Sequence, residues 1–152
     1  MRARGFTLME LMVVLAIMGT IAVAATPALS RWSANLRMDS ATNELASTLQ
    51  LARIKAISQN ASIRVEFDTA THTYQMQQRD TVDPTRWSNV ESTKKLPVAV
   101  QLVSVTSNPV IFQSGRGSTV PGSNTTVTLQ NTQGKKADVV VAQTGRVSVR
   151  KY

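Results

Sequence analysis

Few residues in this chain combine a reactive side chain with a spacing that suits chemistry, and Glu10 is the most informative of them. It follows Gly5, Phe6, Thr7 and Leu8 and heads an apolar run that begins at Leu11 and carries no charged side chain until Arg31. Charged residues at the centre of a membrane helix cost about 2.5–3.5 kcal/mol on insertion scales and less near an end, so a carboxylate here calls for a partner. The other reactive groups offer little. His72 stands alone in a predicted hairpin turn, away from any pair of carboxylates, and reads as a solvent-exposed turn residue rather than a general base. Asp80 and Asp83 flank a polar loop without further oxygen ligands at the spacing a calcium site needs, so a solvated loop is expected there. Gly115-Arg116-Gly117 lacks the Lys and the strand-to-helix setting of a phosphate loop. No cysteine is present, and a single His excludes a His-rich metal site. The expectation is a protein without catalytic residues, metal or cofactor.

Charge supplies the second candidate. The net charge is +8, and losing Arg2 and Arg4 with a leader would reduce 17 basic side chains to 15 against 9 acidic, leaving +6. Such a balance suits polyanions such as nucleic acid or anionic headgroups. It concentrates near the C-terminus, where Lys135, Lys136, Arg146, Arg150 and Lys151 face Asp138 alone. These cations read first as a solvated edge strand guarded against aggregation, and second as phosphate contacts whose affinity would fall steeply with salt. Period-two alternation puts Arg146, Ser148 and Arg150 on one face of a strand.

The N-terminus admits three readings. Arg2 and Arg4 before an apolar stretch, with Val23-Ala24-Ala25 as a small-residue site, fit a secretory signal. The run is longer than the usual h-region, however, and an acidic residue at its head is foreign to one. A plain membrane anchor fits the length, since about 20 apolar residues span a bilayer, but leaves Glu10 unexplained. Third, the segment resembles the type IV prepilin family, whose signature is a short basic leader ending in Gly and followed by Phe-Thr-Leu-x-Glu. Every signature position matches, from Gly5 through Phe6-Thr7-Leu8-Met9-Glu10. The resemblance implies a membrane peptidase that cuts between Gly5 and Phe6 and methylates the Phe6 amine. It further implies that Glu10 pairs with the terminal amine of a neighbouring subunit, so that two charges costly in hydrocarbon offset each other. Gly19 and Pro27 fall where helices of that family often carry these residues, which permit local bending.

The elements that must position these groups follow from periodicity. Trp32, Leu36, Met38, Leu45, Leu49, Ala52 and Ala56 recur at spacings of three and four, with Arg31, Arg37, Asp39, Glu44, Arg53 and Lys55 between them. That predicts an amphipathic helix over 31–58, continuous with the membrane segment 6–30 after a leader of residues 1–5. The joined helix would run about 50 residues, far beyond the globular mean. From 62 to 152 the chain reads as β-rich, with strands over 62–67, 73–78, 97–105, 110–113, 125–130, 137–142 and 147–150. A hairpin is expected around Asp68 to His72 and an irregular loop from Arg79 to Lys95. The fold class is α+β, a long N-terminal helix packed on antiparallel sheet, with residues 31–152 as a globular head.

This order resembles the GspH/FimT-like minor pilins and type II secretion pseudopilins. The likeness rests on Leu51-Ala52-Arg53-Ile54-Lys55-Ala56-Ile57, on Val110-Ile111-Phe112 with Gly115, and on Val139-Val140-Val141 leading into Gly145-Arg146-Val147. It implies a structural subunit of a type IV pilus or a secretion pseudopilus, anchored in the inner membrane with its head in the periplasm. Its partners would be the prepilin peptidase and other pilin subunits. Some FimT-like members take up DNA through a C-terminal Gly-Arg-x-Arg motif. This chain keeps Gly145 and Arg146 but has Ser148 at the second Arg. DNA contact through Lys135, Lys136, Arg146, Arg150 and Lys151 is therefore the alternative expectation, and a plain anchored periplasmic protein is the third.

Overall fold

A computed structural model describes residues 7–120 and 124–152. A single helix, α1, runs from Leu8 to Ser58, 51 residues, and is unbroken through Gly19 and Pro27. Thr7 starts it: its hydroxyl and its carbonyl both accept from the Glu10 N–H, at 3.2 and 3.1 Å, satisfying one of the amides a helix start leaves orphaned. Residues 1–33 and 34–152 form separate compact units. In the first, the side chains from Leu8 onward are exposed and the helix is long and apolar enough to cross a membrane. Its hydroxyls are satisfied internally, Thr20 donating to the Ile17 carbonyl, Thr26 to Ala22 and Ser30 to Pro27. That is what a hydrocarbon solvent demands of polar groups it cannot hydrate.

In the second unit α1 becomes one-faced. The buried positions are Ala34, Met38, Ala41, Thr42, Leu45, Ala46, Thr48, Leu49, Ala52 and Ala56. Thr42 and Thr48 keep their hydroxyls bonded to the carbonyls one turn back, at 2.7 and 3.0 Å, so neither is an orphan in the core. The predicted stripe is corrected at its start, because Trp32 and Leu36 are 61% and 46% exposed while Ala34 is buried. The small Ala34, not the large neighbours, faces inward.

Among the described residues, nine strands in two antiparallel sheets complete the unit. The first sheet holds β1 (Ile63–Asp68), β2 (Thr73–Arg79), β3 (Trp87–Asn89), β4 (Lys94–Lys95) and β6 (Val110–Phe112), ordered β3-β2-β1-β6 with β4 also on β2. The second holds β5 (Val100–Val105), β7 (Thr125–Asn131), β8 (Lys136–Val141) and β9 (Val147–Lys151), in the order β5-β7-β8-β9. Alternation is plainest on β7, where Val127 and Leu129 point in and Thr126, Thr128 and Gln130 lie part-exposed. Ile63, Val65 and Phe112 from the first sheet join Val127, Leu129, Val139 and Val141 from the second in one core with Met38, Leu45 and Leu49.

Three sequence expectations change. The stretch from Arg79 to Lys95 is not wholly loop, since it contains β3 and β4. Trp87 lies between the guanidinium groups of Arg64 and Arg79, 4.5 and 5.9 Å from its ring centre. Lys94 meets Glu44 at 3.7 Å and Lys55 meets Glu91 at 3.5 Å, pinning the segment to α1. These ties are long-range, which is why no local pattern reveals them. The strand predicted from Pro97 begins instead at Val100, after a turn in which Ala99 takes φ +82° and Val100 donates to the Pro97 carbonyl. His72 is half-buried rather than free in solvent, and its Nδ1 accepts from the Leu102 N–H at 3.3 Å, linking the hairpin to β5.

Two further contacts tie later parts of this unit to α1. The turn after β6 caps the helix, with Gly115 N–H donating to the Ala56 carbonyl at 3.1 Å. Lys151 at the end of β9 donates to Asp39 at 2.8 Å and, as the largest influence, holds that carboxyl below its ordinary value.

Leu49→Ala is expected to cost about 2–5 kcal/mol in urea unfolding of the detergent-solubilised chain, against within about 0.5 kcal/mol for Leu36→Ala. Asp39→Asn should cost about 0.5 kcal/mol at neutral pH and low salt, because both partners are part-exposed. The folded carboxyl titrates below its unfolded value of 3.8, so the stabilisation is complete above that value. It is lost as pH falls through the lowered one, where wild type and variant should converge.

Candidate functional site

Two groups of candidate residues came from the sequence, and they lie in different units. Gly5 and Phe6 are outside the described residues. Glu10 sits in the first turn of α1, the end at which the helix dipole favours a negative charge, and it is exposed. Among the described residues it makes no ion pair. A carboxylate without an ion pair among the described residues thus stands in the first turn of a helix whose following twenty residues are apolar or neutral.

The basic residues near the C-terminus are not brought to one point. At one end of the β8–β9 pair, Lys136 opens β8 and its carbonyl accepts from the Tyr152 N–H, while Ala137 stands opposite Lys151. Lys135 is close enough to Asp39 to lower its pKa further, after the Lys151 contribution. Lys151 itself is committed to Asp39 at 2.8 Å. Arg150 lies opposite Asp138, whose carboxylate accepts from Thr128 at 2.8 Å. Arg146 is at the far end of β9, about 17 Å along the strand at 3.3 Å per residue. Arg146, Ser148 and Arg150 do share the exposed face, as the alternation predicts.

Arg146 has company that the sequence did not reveal. The β8–β9 turn places Gly145 at φ +79° and the β6–β7 connection places Gly117 at φ +62°, conformations that glycine adopts without a Cβ penalty. A Cβ at Gly145 would collide with the Gly117 carbonyl oxygen and lie 2.8 Å from Arg53 Nε. One at Gly117 would lie 2.7 Å from Ile57 and 3.0 Å from Arg53 Cγ. The Arg53 side chain therefore packs against both glycines, and its Nε is buried with no hydrogen-bond partner among the described residues. Periodicity marked Arg53 only as a polar residue between stripe positions. The available signal was the pair of turn glycines, which have no local reason to match.

Chemically the described residues offer no group of His, Asp and Glu that could hold a metal. Asp80 and Asp83 instead close their own turns, accepting from the Val82 and Thr85 N–H groups at 2.8 and 3.0 Å, and the Thr85 hydroxyl and N–H hold Asp83 below its ordinary pKa. Gly115 to Gly117 serve the helix cap and the Arg53 packing.

Comparison with known proteins agrees with this architecture. The structure is similar to the minor pseudopilin EpsH from the Type 2 Secretion System of Vibrio cholerae, with a TM-score of 0.62 at 13% identity over 74% of this chain and 95% of that one. It is also similar to the type IV minor pilin FimU of Pseudomonas aeruginosa, with a TM-score of 0.60 at 18% identity over 78% of this chain and 92% of the other. These identities establish a shared fold. No curated protein matches the sequence. Residues 1–26 match the prokaryotic N-terminal methylation motif, and residues 41–145 match the profile described as type II transport protein GspH. A match over more than half of its length places this chain in the GspH family of type II transport proteins.

Proposed function

We propose that the protein is a minor pilin or pseudopilin, a non-catalytic subunit that joins or primes a type IV pilus or a type II secretion pseudopilus. It is made as a precursor, cut by a prepilin peptidase between Gly5 and Phe6 and methylated at Phe6. One helix holds it in the inner membrane, with the head in the periplasm. The supporting observation is the methylation motif over 1–26 together with an exposed Glu10 in the first turn of α1 that has no ion-pair partner among the described residues. Lateral packing of such helices in an assembly would transfer Glu10 from one apolar surrounding to another, and the Phe6 ammonium of a neighbour offers the opposite charge.

A second reading keeps one favourable observation, the exposed Arg146 and Arg150, which share one face at and just before β9. They would contact DNA phosphates. Lys151, occupied by Asp39, contributes less to such a surface.

Glu10→Ala is expected to leave membrane insertion intact while sharply lowering recovery of the protein in sheared filaments. Equal recovery would remove the pairing from the account. For DNA, binding of the full chain in detergent should weaken with salt on a log–log slope that drops by about 1 for each phosphate contact removed. Arg146→Ala with Arg150→Ala would lower the slope by about 2 if these residues bind DNA, whereas an unchanged slope refutes the second reading.

A further inference from the structure

Beside the Arg53 corner lies an open groove of about 280 Å³, lined by Gln50, Arg53 and Ile54 of α1 and by Gly145, Arg146 and Val147 of the β8–β9 turn. Three observations define what would fill it. First, the groove holds two guanidinium groups and no acidic side chain, and neither Arg53 nor Arg146 has an ion pair among the described residues. Buried polar atoms in folded proteins nearly always have a hydrogen-bond partner, and the buried Arg53 Nε has none among the described residues. Second, the corner is built rather than incidental, because Arg53 occupies space that exists only while positions 117 and 145 lack a Cβ. Third, the groove has an apolar bank. Ile54, which lines it, is 60% exposed, and Leu51 and Ile57, next to the lining and not part of it, are exposed three residues to either side.

The planar donors of arginine match a carboxylate in two parallel hydrogen bonds. A ridge of Leu and Ile, by contrast, adds nothing to a phosphate backbone, which is recognised by cationic and polar groups along an open track. A second copy of this chain is disfavoured as occupant, since each would carry a net charge of +6 once Arg2 and Arg4 are lost with the leader. We infer that this groove docks an acidic, apolar-flanked segment of a different subunit in the filament. Its carboxylate is received by Arg53 and Arg146, and its apolar side chain lies on Leu51, Ile54 and Ile57. The inference rests on the filament-subunit reading and specifies the chemistry of the neighbour.

The test uses the full chain in detergent micelles, with arginine Nε–H resonances followed by NMR. The probes are the acetylated, amidated peptide Val-Asp-Val-Glu, its Val-Asn-Val-Gln counterpart, inorganic phosphate and a short DNA duplex. Saturable shifts at Arg53 and Arg146 are expected with the acidic peptide and not with the amide one. Affinity should fall about tenfold or more in Arg53→Lys, which keeps the charge but loses the fork, and also fall in Ile54→Ser. No shift with the acidic peptide, equal binding of inorganic phosphate, or displacement of the peptide by DNA would each overturn the inference. In cells, a photo-crosslinker replacing Gln50 should yield a product with another filament subunit, lost in Arg146→Glu. A product with a second copy of this chain, or none, would count against it. Filament recovery of the wild-type chain is scored separately, so failure of the groove and failure of the subunit reading give different results.

Discussion

Burial of one stripe on the second half of α1 is the interaction on which the head depends. Between Ala34 and Ala56 the buried face holds five alanines and two threonines, with Met38, Leu45 and Leu49 as the large side chains, and the strands of both sheets complete a common core around them. Small residues let backbone come close, and a stripe of this kind leaves little room for adjustment at interior packing density. Thr42 and Thr48 fit within it because each returns its hydroxyl to its own helix. The same stripe sets where every later segment goes. The 113–118 turn must reach the end of α1 to cap it, and β9 must reach Asp39.

One helix here serves two solvents, and its composition changes where the solvent does. Up to about Ser30 the surface is apolar all round and the few hydroxyls are bonded internally, as a bilayer or a packed filament core requires. Beyond it, Arg31, Arg37, Asp39, Glu44, Arg53 and Lys55 bring charge to the faces other than the buried one. Glu10 breaks the first regime, and it does so at the helix start, where the dipole and the Thr7 cap lower the cost of placing it. A lone acid kept at such a position makes sense in an assembly that supplies its counter-charge.

The corner formed by Arg53, Gly117 and Gly145 joins three parts of the chain that are distant in sequence. Both glycines hold positive φ, and both would clash with Arg53 or its surroundings if they carried a side chain. Helix capping, turn geometry and the exposure of Arg146 are therefore consequences of one piece of packing. This also explains why the basic residues near the C-terminus do not merge into one surface. Lys151 is drawn to Asp39 at one end of β9, while Arg146 belongs to the glycine corner at the other.

Much of the molecule was readable without coordinates. The methylation signature with Glu10 is a motif of consecutive residues that resembles a known family, and the single long helix, seven of the nine strands among the described residues and the α+β class follow from local spacing, because periods of 3.6 and 2 are properties of consecutive residues. Four features were not. Trp32 and Leu36 fit the helical period but lie outside the buried face, since period alone does not say where a stripe begins. Strands β3 and β4 are held by Arg64, Glu44 and Lys55, all distant in the chain. His72 is half-buried because β5 folds back to it. Arg53 became a candidate only once two turns, separated from it by more than sixty residues, supplied the glycines it packs on. Sequence by itself determined which segments are apolar, which alternate and where the processing motif lies. Tertiary structure decided which charges are paired and which are left open, because that depends on long-range proximity and not on any period along the chain.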